Sequence, residues 1–309
     1  MTTRYAINGL VIESDVSLDP RRATSSGPVD VRVVLNRECA PAGHSLQGDV
    51  LAEAVINGTR LYTVLQTTHG FDVVLHGAAT FSISAGLDRI DVRAAAGTAD
   101  ELLSVLLNGT VMAVYLMLQG SVALHASAVQ FADHAVALVG HSGMGKSTIA
   151  TLLCSAGGLL VADDLLRVEL AANGVNCFAG STETRLRPAA WAIAGEATGS
   201  SSRKTIDGRL ALAVRESPTS VLPLRAIFIP KPDRDASMVS VKPLRAAAAM
   251  ASLLRFPRVL GWTDPSTSRA QFDLLAGLAR RIPVGLVTVP WGPPFATDLP
   301  VALAEALGA

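Results

Sequence analysis

Cysteine is scarce: Cys39, Cys154 and Cys177 are the three in 309 residues. They are too few and too scattered for a disulfide framework or a thiolate metal cluster. An excess of charge is also missing. The 26 basic and 26 acidic residues cancel to a formal net charge of +0. Nothing in that balance recruits a polyanion, so no nucleic-acid partner is expected. The opening residues Met1 to Ile7 contain no long apolar signal segment, and a bacterial cytoplasmic enzyme is the expected setting. No repeat or low-complexity tract is visible. Between Gly109 and Val129 the apolar run Val111 to Leu118 stops at Gln119-Gly120, short of the roughly 20 apolar residues that a membrane span requires. No stable membrane insertion is expected there. Asp100 to Leu118 reads instead as a buried helix, interrupted near Asn108-Gly109.

What the chain does have is Gly140-His141-Ser142-Gly143-Met144-Gly145-Lys146-Ser147-Thr148. Glycine, four residues and Gly-Lys-Ser form the complete phosphate-binding-loop pattern. Ala135 to Val139 runs into it as an apolar strand, and Ser147 to Leu153 leaves it as a helix. A tight glycine turn at a helix start directs backbone N–H groups at an anion and adds the favourable field of the helix end. In this pattern Lys146 reaches the β- and γ-phosphates of a nucleotide, and Ser147 ligates Mg²⁺. The motif does not by itself separate a kinase from an ATPase or a GTPase.

An acidic pair follows. Leu159 to Ala162 reads as a buried strand, and Asp163-Asp164 stands at its end, 17 and 18 residues after Lys146. A helix and then a strand parallel to the first fit that interval, with the pair at the ligand-facing strand ends of an α/β sheet. One carboxylate can orient Mg²⁺ and the other can accept a proton from an incoming hydroxyl. A solvated acidic turn is the plainer alternative. His125 precedes Gly140 by fifteen residues. It sits in an expected strand, Val122 to Val129, which forms a hairpin with Ala135 to Val139. Its imidazole suits either an aspartate and phosphate partner or a satisfied core histidine.

Leu124-His125-Ala126, the glycine loop and Leu160-Val161-Ala162-Asp163-Asp164, in this order and spacing, resemble the C-terminal catalytic domain of the HPr kinase/phosphorylase superfamily. The resemblance covers about residues 120 to 170. It implies an α/β fold whose P-loop kinase core is similar to HPr kinase and to the nucleotide-binding core of phosphoenolpyruvate carboxykinase. It further implies ATP-dependent phosphorylation of serine in a peptide or small protein. By resemblance, Asp163 looks like the catalytic aspartate, His125 its support, and Asp164 the acidic residue near the metal. Thr148 stands where the family usually has glutamate, and the family's second signature is not recognisable after residue 180. Gly180 to Arg187 occupies its place. There Glu183 could help with metal, and Arg185 or Arg187 could meet phosphate, although a charged solvated loop fits equally. These departures point away from HPr itself and towards a diverged serine kinase. Relatives of this kind modify ribosomally made precursor peptides, including lasso peptides. A small-molecule kinase, or a nucleotide-controlled binding or scaffold protein, remains as an alternative.

The length suits two domains, expected at 1–98 and 99–309. The first is smaller and strand-rich. Val29 to Leu35, Thr59 to Gln66, Phe71 to Leu75, Ala79 to Ile83 and Arg89 to Arg93 read as strands, punctuated by Gly70, Gly77 and Gly86. Its role could be substrate selection, contact within a homo-oligomer or support of the core. Asp19 to Pro28 reads as a loop, in which Arg21 and Arg22 could meet an acidic substrate. In the second domain, Leu224 to Pro230 and Val284 to Val289 read as strands. Leu244 to Phe256, Arg269 to Arg281 and Leu299 to Leu307 read as helices. Gly199 to Thr205 is a candidate mobile loop whose Arg203 and Lys204 could neutralise transferring phosphate.

Overall fold

The computed structural model describes all residues except 1, 25, 38–46, 196–200, 207, 294, 297 and 307–309. Cys39, Gly199, Ser200 and Leu307 therefore lie outside the described residues. By contact the chain forms two units, Met1–Ser121 with Arg258–Gln271, and Val122–Pro257 with Phe272–Ala309. The N-terminal unit thus runs beyond residue 98, because the helical stretch after it groups with the preceding strands.

The first unit is a sheet of eight strands: β1 (Thr3–Ile7), β2 (Leu10–Ser14), β3 (Val31–Asn36), β4 (Asp49–Ile56), β5 (Thr59–Thr67), β6 (Gly70–Leu75), β7 (Ala79–Ser84) and β8 (Arg89–Ala94). Their order is β1-β2-β3-β8-β7-β6-β5-β4. From β4 to β8 it is an antiparallel meander, with Tyr62 opposite Leu75 and Phe81 opposite both Val73 and Val92. Strict alternation sends Val73, Phe81, Ile83, Ile90 and Val92 inward, each at most 1% exposed. The helical stretch is α1 (Asp100–Leu106), one π turn (Leu107–Val111) and α2 (Met112–Leu118). The interruption expected at Asn108-Gly109 is this π turn, a single-turn insertion typical of such sites. Asp100–Leu118 is long and apolar enough to cross a membrane by composition, yet 56% of its apolar window is buried within the protein. The Tyr115 hydroxyl donates to the Leu87 carbonyl in the β7–β8 turn at 2.7 Å.

A distant segment is stapled onto this unit. The Leu260 N–H donates to the Tyr62 hydroxyl at 2.6 Å, and the Thr263 N–H to the Leu51 carbonyl at 2.7 Å. Gly261 lies between them at φ +68°, and a Cβ there would fall 1.9 Å from the Glu53 carbonyl oxygen. No other residue type fits that approach.

The second unit holds β9 (Val122–Leu124), β10 (Ala126–Phe131), β11 (His134–Val139), α3 (Lys146–Ser155), β12 (Leu159–Ala162), β13 (Leu166–Ala171), β14 (Gly174–Phe178), β15 (Glu183–Leu186), β16 (Ser202–Lys204), β17 (Leu210–Ala213), β18 (Val221–Asp233), β19 (Ser240–Pro243), α4 (Ala246–Leu253), α5 (Pro265–Arg281, its first turns in the first unit), β20 (Val284–Pro290) and α6 (Leu299–Ala306). The main sheet runs β12-β10-β11-β18-β14-β13-β9, with β20 pairing β18 and β19 pairing β20. Period two on β11 sends Ala135, Ala137 and Val139 towards Ala249, Leu253 and Leu278. Val136 and Leu138 go to the opposite face, towards Ile149, Leu153, Leu299 and Leu303. A sheet covered by helices on both faces is the layered α/β solution, and it explains why β11 carries an unbroken apolar run.

The sheet is mixed rather than parallel throughout. β11 pairs β10 antiparallel and β18 parallel, and β18 pairs β20 parallel. The strand after α3 does share the direction of β11, as its spacing suggests, but β10 lies between them. The expected strand through His125 is broken there. Val122–Leu124 pairs β13, and Ala126–Phe131 pairs β11. Within the expected mobile loop, Ser202–Lys204 forms an edge strand of a small sheet, β15-β17-β16.

Candidate functional site

Topology brings separate segments of the second unit to one sheet edge. β11, β12, β18 and β20 share a direction, so Gly140, Asp163 and Trp291 each follow a carboxyl end there and Asp233 ends β18, while β10 begins at that edge just after His125. This is where open α/β sheets gather ligand groups.

The glycine loop closes on itself. Gly143 and Gly145 have φ of +95° and +85°, a conformation that side chains other than glycine rarely take. The second turns the chain into α3, whose Ile149 N–H donates to the Gly145 carbonyl at 2.8 Å. The Lys146 ammonium lies inside the turn, 6% exposed, and donates to the Gly140 and His141 carbonyls at 2.9 and 3.0 Å. Two carbonyl dipoles thereby offset the cost of a buried cation. The His141 ring meets Phe256 edge-on at 4.8 Å. The Arg187 guanidinium donates to the Ser142 hydroxyl at 2.8 Å and ties the loop to the end of β15.

Asp163 is 5% exposed and holds three donors. The Ser147 hydroxyl reaches Oδ1 at 2.9 Å, the Ser127 hydroxyl shares the same oxygen, and the Arg185 backbone N–H meets Oδ2 at 2.9 Å. Burial pushes its pKa up, and the neighbouring Asp164 charge acts the same way. The three hydrogen bonds oppose both, and burial prevails. Asp164 turns away at φ +71°. This left-handed residue lets adjacent carboxyls leave the strand in different directions. Asp164 Oδ1 stands 3.6 Å from His125 Nδ1, with the side chains 33% and 21% exposed. The contact expected between His125 and Asp163 is thus made with the next residue.

These groups line one cavity of about 180 Å³, bounded by His125, Ser142–Thr148, Asp163, Asp164, Arg185 and Arg187. It is smaller than most ligand pockets, which span roughly 300–1,000 Å³. Glu183, Arg203 and Lys204 are not among its lining residues. Arg203 donates to the Glu183 carboxylate at 3.0 Å, and the Lys204 ammonium lies 5.3 Å from the Trp191 ring centre. Gly140 and His141 contribute carbonyls to Lys146 instead of cavity wall. The cavity also takes in Arg209, Pro232, Val289, Pro290, Trp291 and Phe295, which sequence reasoning missed. Ser127 was missed too, though its place two residues after His125 could have suggested a second hydroxyl at that edge. Strand direction was the only other available signal, and Arg209 carried none.

Among the described residues no group of three or more His, Cys, Asp and Glu is arranged to hold a metal. The donors present are the Ser147 hydroxyl and the two aspartates, all hard oxygens. Cys154 and Cys177 take no part. Burial pushes each thiol up to about 12, helped at Cys154 by the Asp163 charge.

No family model matches the chain, and no curated protein matches it. Among solved structures, the Hpr(Ser) kinase/phosphatase from Coxiella burnetii is similar at 13% identity. That match covers 60% of this chain and 93% of the other, with a TM-score of 0.29. A likeness this weak and distant assigns no chemistry, which leaves the function to the chain's own geometry.

Proposed function

We propose that the second unit is an ATP-dependent kinase that transfers phosphate to a serine hydroxyl of a peptide or small protein, a ribosomally made precursor peptide included. One observation carries this reading. A complete Gly-x4-Gly-Lys-Ser loop shares a cavity with a buried aspartate that holds the loop serine. Lys146 would exchange its carbonyl partners for the β- and γ-phosphates, and the loop N–H groups would hold the remaining oxygens.

Mg²⁺ fits the donor set. It usually keeps several waters and takes only one or two protein oxygens beside the substrate phosphates. Ser147 with Asp164 would supply that number, so the lack of a larger cluster among the described residues is no obstacle. The metal would neutralise charge on the phosphates. With Ser147 holding the metal, Asp163 would keep the Ser127 hydroxyl and the Arg185 N–H as donors. Its basicity, already lifted by burial, then suits the uptake of a serine proton. Asp164 and His125 border the same space and would orient the acceptor or the metal-bound water. Arg185, Arg187 and Arg209 line the same cavity and would meet the developing negative charge.

The test is calorimetry on folded protein. Lys146→Ala should weaken Mg-ATP binding by about 10- to 100-fold, the loss of a charge-assisted contact. Ser147→Ala should reduce metal-dependent binding more than metal-free binding. Equal affinity in the wild type and Lys146→Ala would end the nucleotide assignment. Phosphate found by fragmentation on serine of a peptide encoded nearby would support the acceptor. Efficient transfer only to a metabolite would move the reading to a small-molecule kinase, and binding without any turnover would move it to a switch.

A further inference from the structure

The lining of the cavity is of two chemical kinds. The glycine loop, Lys146 and the aspartates form one. The other is a wall of Pro232, Val289, Pro290, Trp291 and Phe295, from the carboxyl ends of β18 and β20 and the chain after β20. Trp291 is 55% exposed although it lines this cavity, and tryptophan is highly buried on average. Its backbone is tied down and its ring has a cationic neighbour. The backbone N–H donates to the Asp233 carbonyl at 3.0 Å, and the Arg234 guanidinium lies 5.1 Å from the ring centre. Phe295 packs onto Gly292, where a Cβ would come within 2.4 Å of its ring. A flat, oriented, half-uncovered ring beside an apolar wall is poorly suited to a phosphate or a carboxylate. It suits a planar π-system that would cover it.

We infer that this wall is the nucleobase subsite, with the base stacked on Trp291 and its edge left largely unread. The inference rests on the nucleotide reading above, and continuity of one cavity from the glycine loop to Trp291 is what selects the occupant. The five wall residues offer a single polar side-chain group, the indole N–H. One donor cannot distinguish the two purine edges as a paired donor and acceptor would. ATP and GTP should therefore bind within about tenfold of each other, since stacking tolerates any base.

The experiment compares Mg-ATP, Mg-GTP and Mg-tripolyphosphate by calorimetry in the wild type, Trp291→Ala, Trp291→Phe and Lys146→Ala. Trp291→Ala should weaken both nucleotides by about 5- to 150-fold, the span that base stacking covers elsewhere. Tripolyphosphate, which has no base, should bind it as it binds the wild type. Trp291→Phe should keep most of the nucleotide affinity, which separates loss of a ring from loss of fold. Unchanged ATP affinity in Trp291→Ala overturns the subsite, and so does an equal loss for tripolyphosphate. Strong preference for one purine overturns the claim about its edge. If Lys146→Ala binds all three ligands as the wild type does, the nucleotide reading itself fails and takes this inference with it.

Discussion

The two units bury different kinds of polar group. Among the described residues of the first, the buried polar ones are neutral: Asn8, Ser14, Thr63 and Ser121. In the second, Lys146 and Asp163 are buried beside Ser127, Thr151 and Thr184. An isolated charge inside a protein is costly and persists only with partners. Here each has them: two carbonyls for Lys146, two hydroxyls and a backbone N–H for Asp163. The connections differ in the same sense. Strands β4 to β8 follow one another through tight turns, so neighbours in sequence are neighbours in space. In the second unit β11, β18 and β20 are parallel neighbours far apart in sequence. Parallel pairing needs long crossovers, which carry distant segments to one sheet edge. The meander is thus locally determined, whereas the mixed sheet gathers residues from distant segments.

The sharpest way to break this contrast is Asp163→Asn. The amide keeps the shape and an acceptor for the Arg185 N–H while removing the base, so single-turnover transfer at saturating substrate should fall by about 10² to 10⁴-fold with much of the nucleotide affinity retained. His125→Ala should lose less. A larger loss in Asp164→Asn than in Asp163→Asn would hand the proton to Asp164. A comparable energy, with no chemistry attached, is expected in the first unit. Phe81 is fully buried between Val73 and Val92, and Phe81→Ala should cost about 3–5 kcal/mol in denaturant unfolding. The Mg-ATP affinity of its folded fraction should match the wild type. A weakened affinity would show that the two units are coupled.

The smallest effect is one of pH. Burial raises the Asp163 pKa above its ordinary 3.8, so the folded state binds a proton that the unfolded chain has released. The stability tied to that proton is present below about 3.8 and is lost as pH rises through the folded value. Melting temperatures of Asp163→Asn and the wild type should therefore diverge in favour of the variant from about pH 4 upwards. Parallel curves would mean that the hydrogen bonds, and not burial, set this carboxyl.

Much of this contrast was legible beforehand. Alternation and glycine punctuation marked β5 to β8 closely, because a half-buried antiparallel strand writes its burial into every second residue. Gly140 to Thr148 and Asp163-Asp164 stood out because the chemistry depends on residue type at fixed spacing. Less legible were contacts between residues far apart in sequence. Glu183 offered a carboxylate in a suitable stretch, yet antiparallel pairing of β15 and β16 with β17 sets it beside Arg203. Lys204 lies over Trp191, a neighbour no local pattern announces. Trp291 and Arg209 had no motif around them at all.

The sequence alone determined the glycine loop, the helix that leaves it, the acidic pair and the alternating strands of the first unit. Each depends on local steric freedom, on local periodicity or on a spacing of fewer than twenty residues. Tertiary structure alone decided that the strand through His125 breaks in two, that His125 stands against Asp164, and that Asp163 is buried under Ser127, Ser147 and the Arg185 N–H. It also decided that Trp291 shares a cavity with Lys146, 145 residues away. Those outcomes come from the order and direction of strands in a mixed sheet, which are set by how the whole apolar surface is buried and not by any one segment.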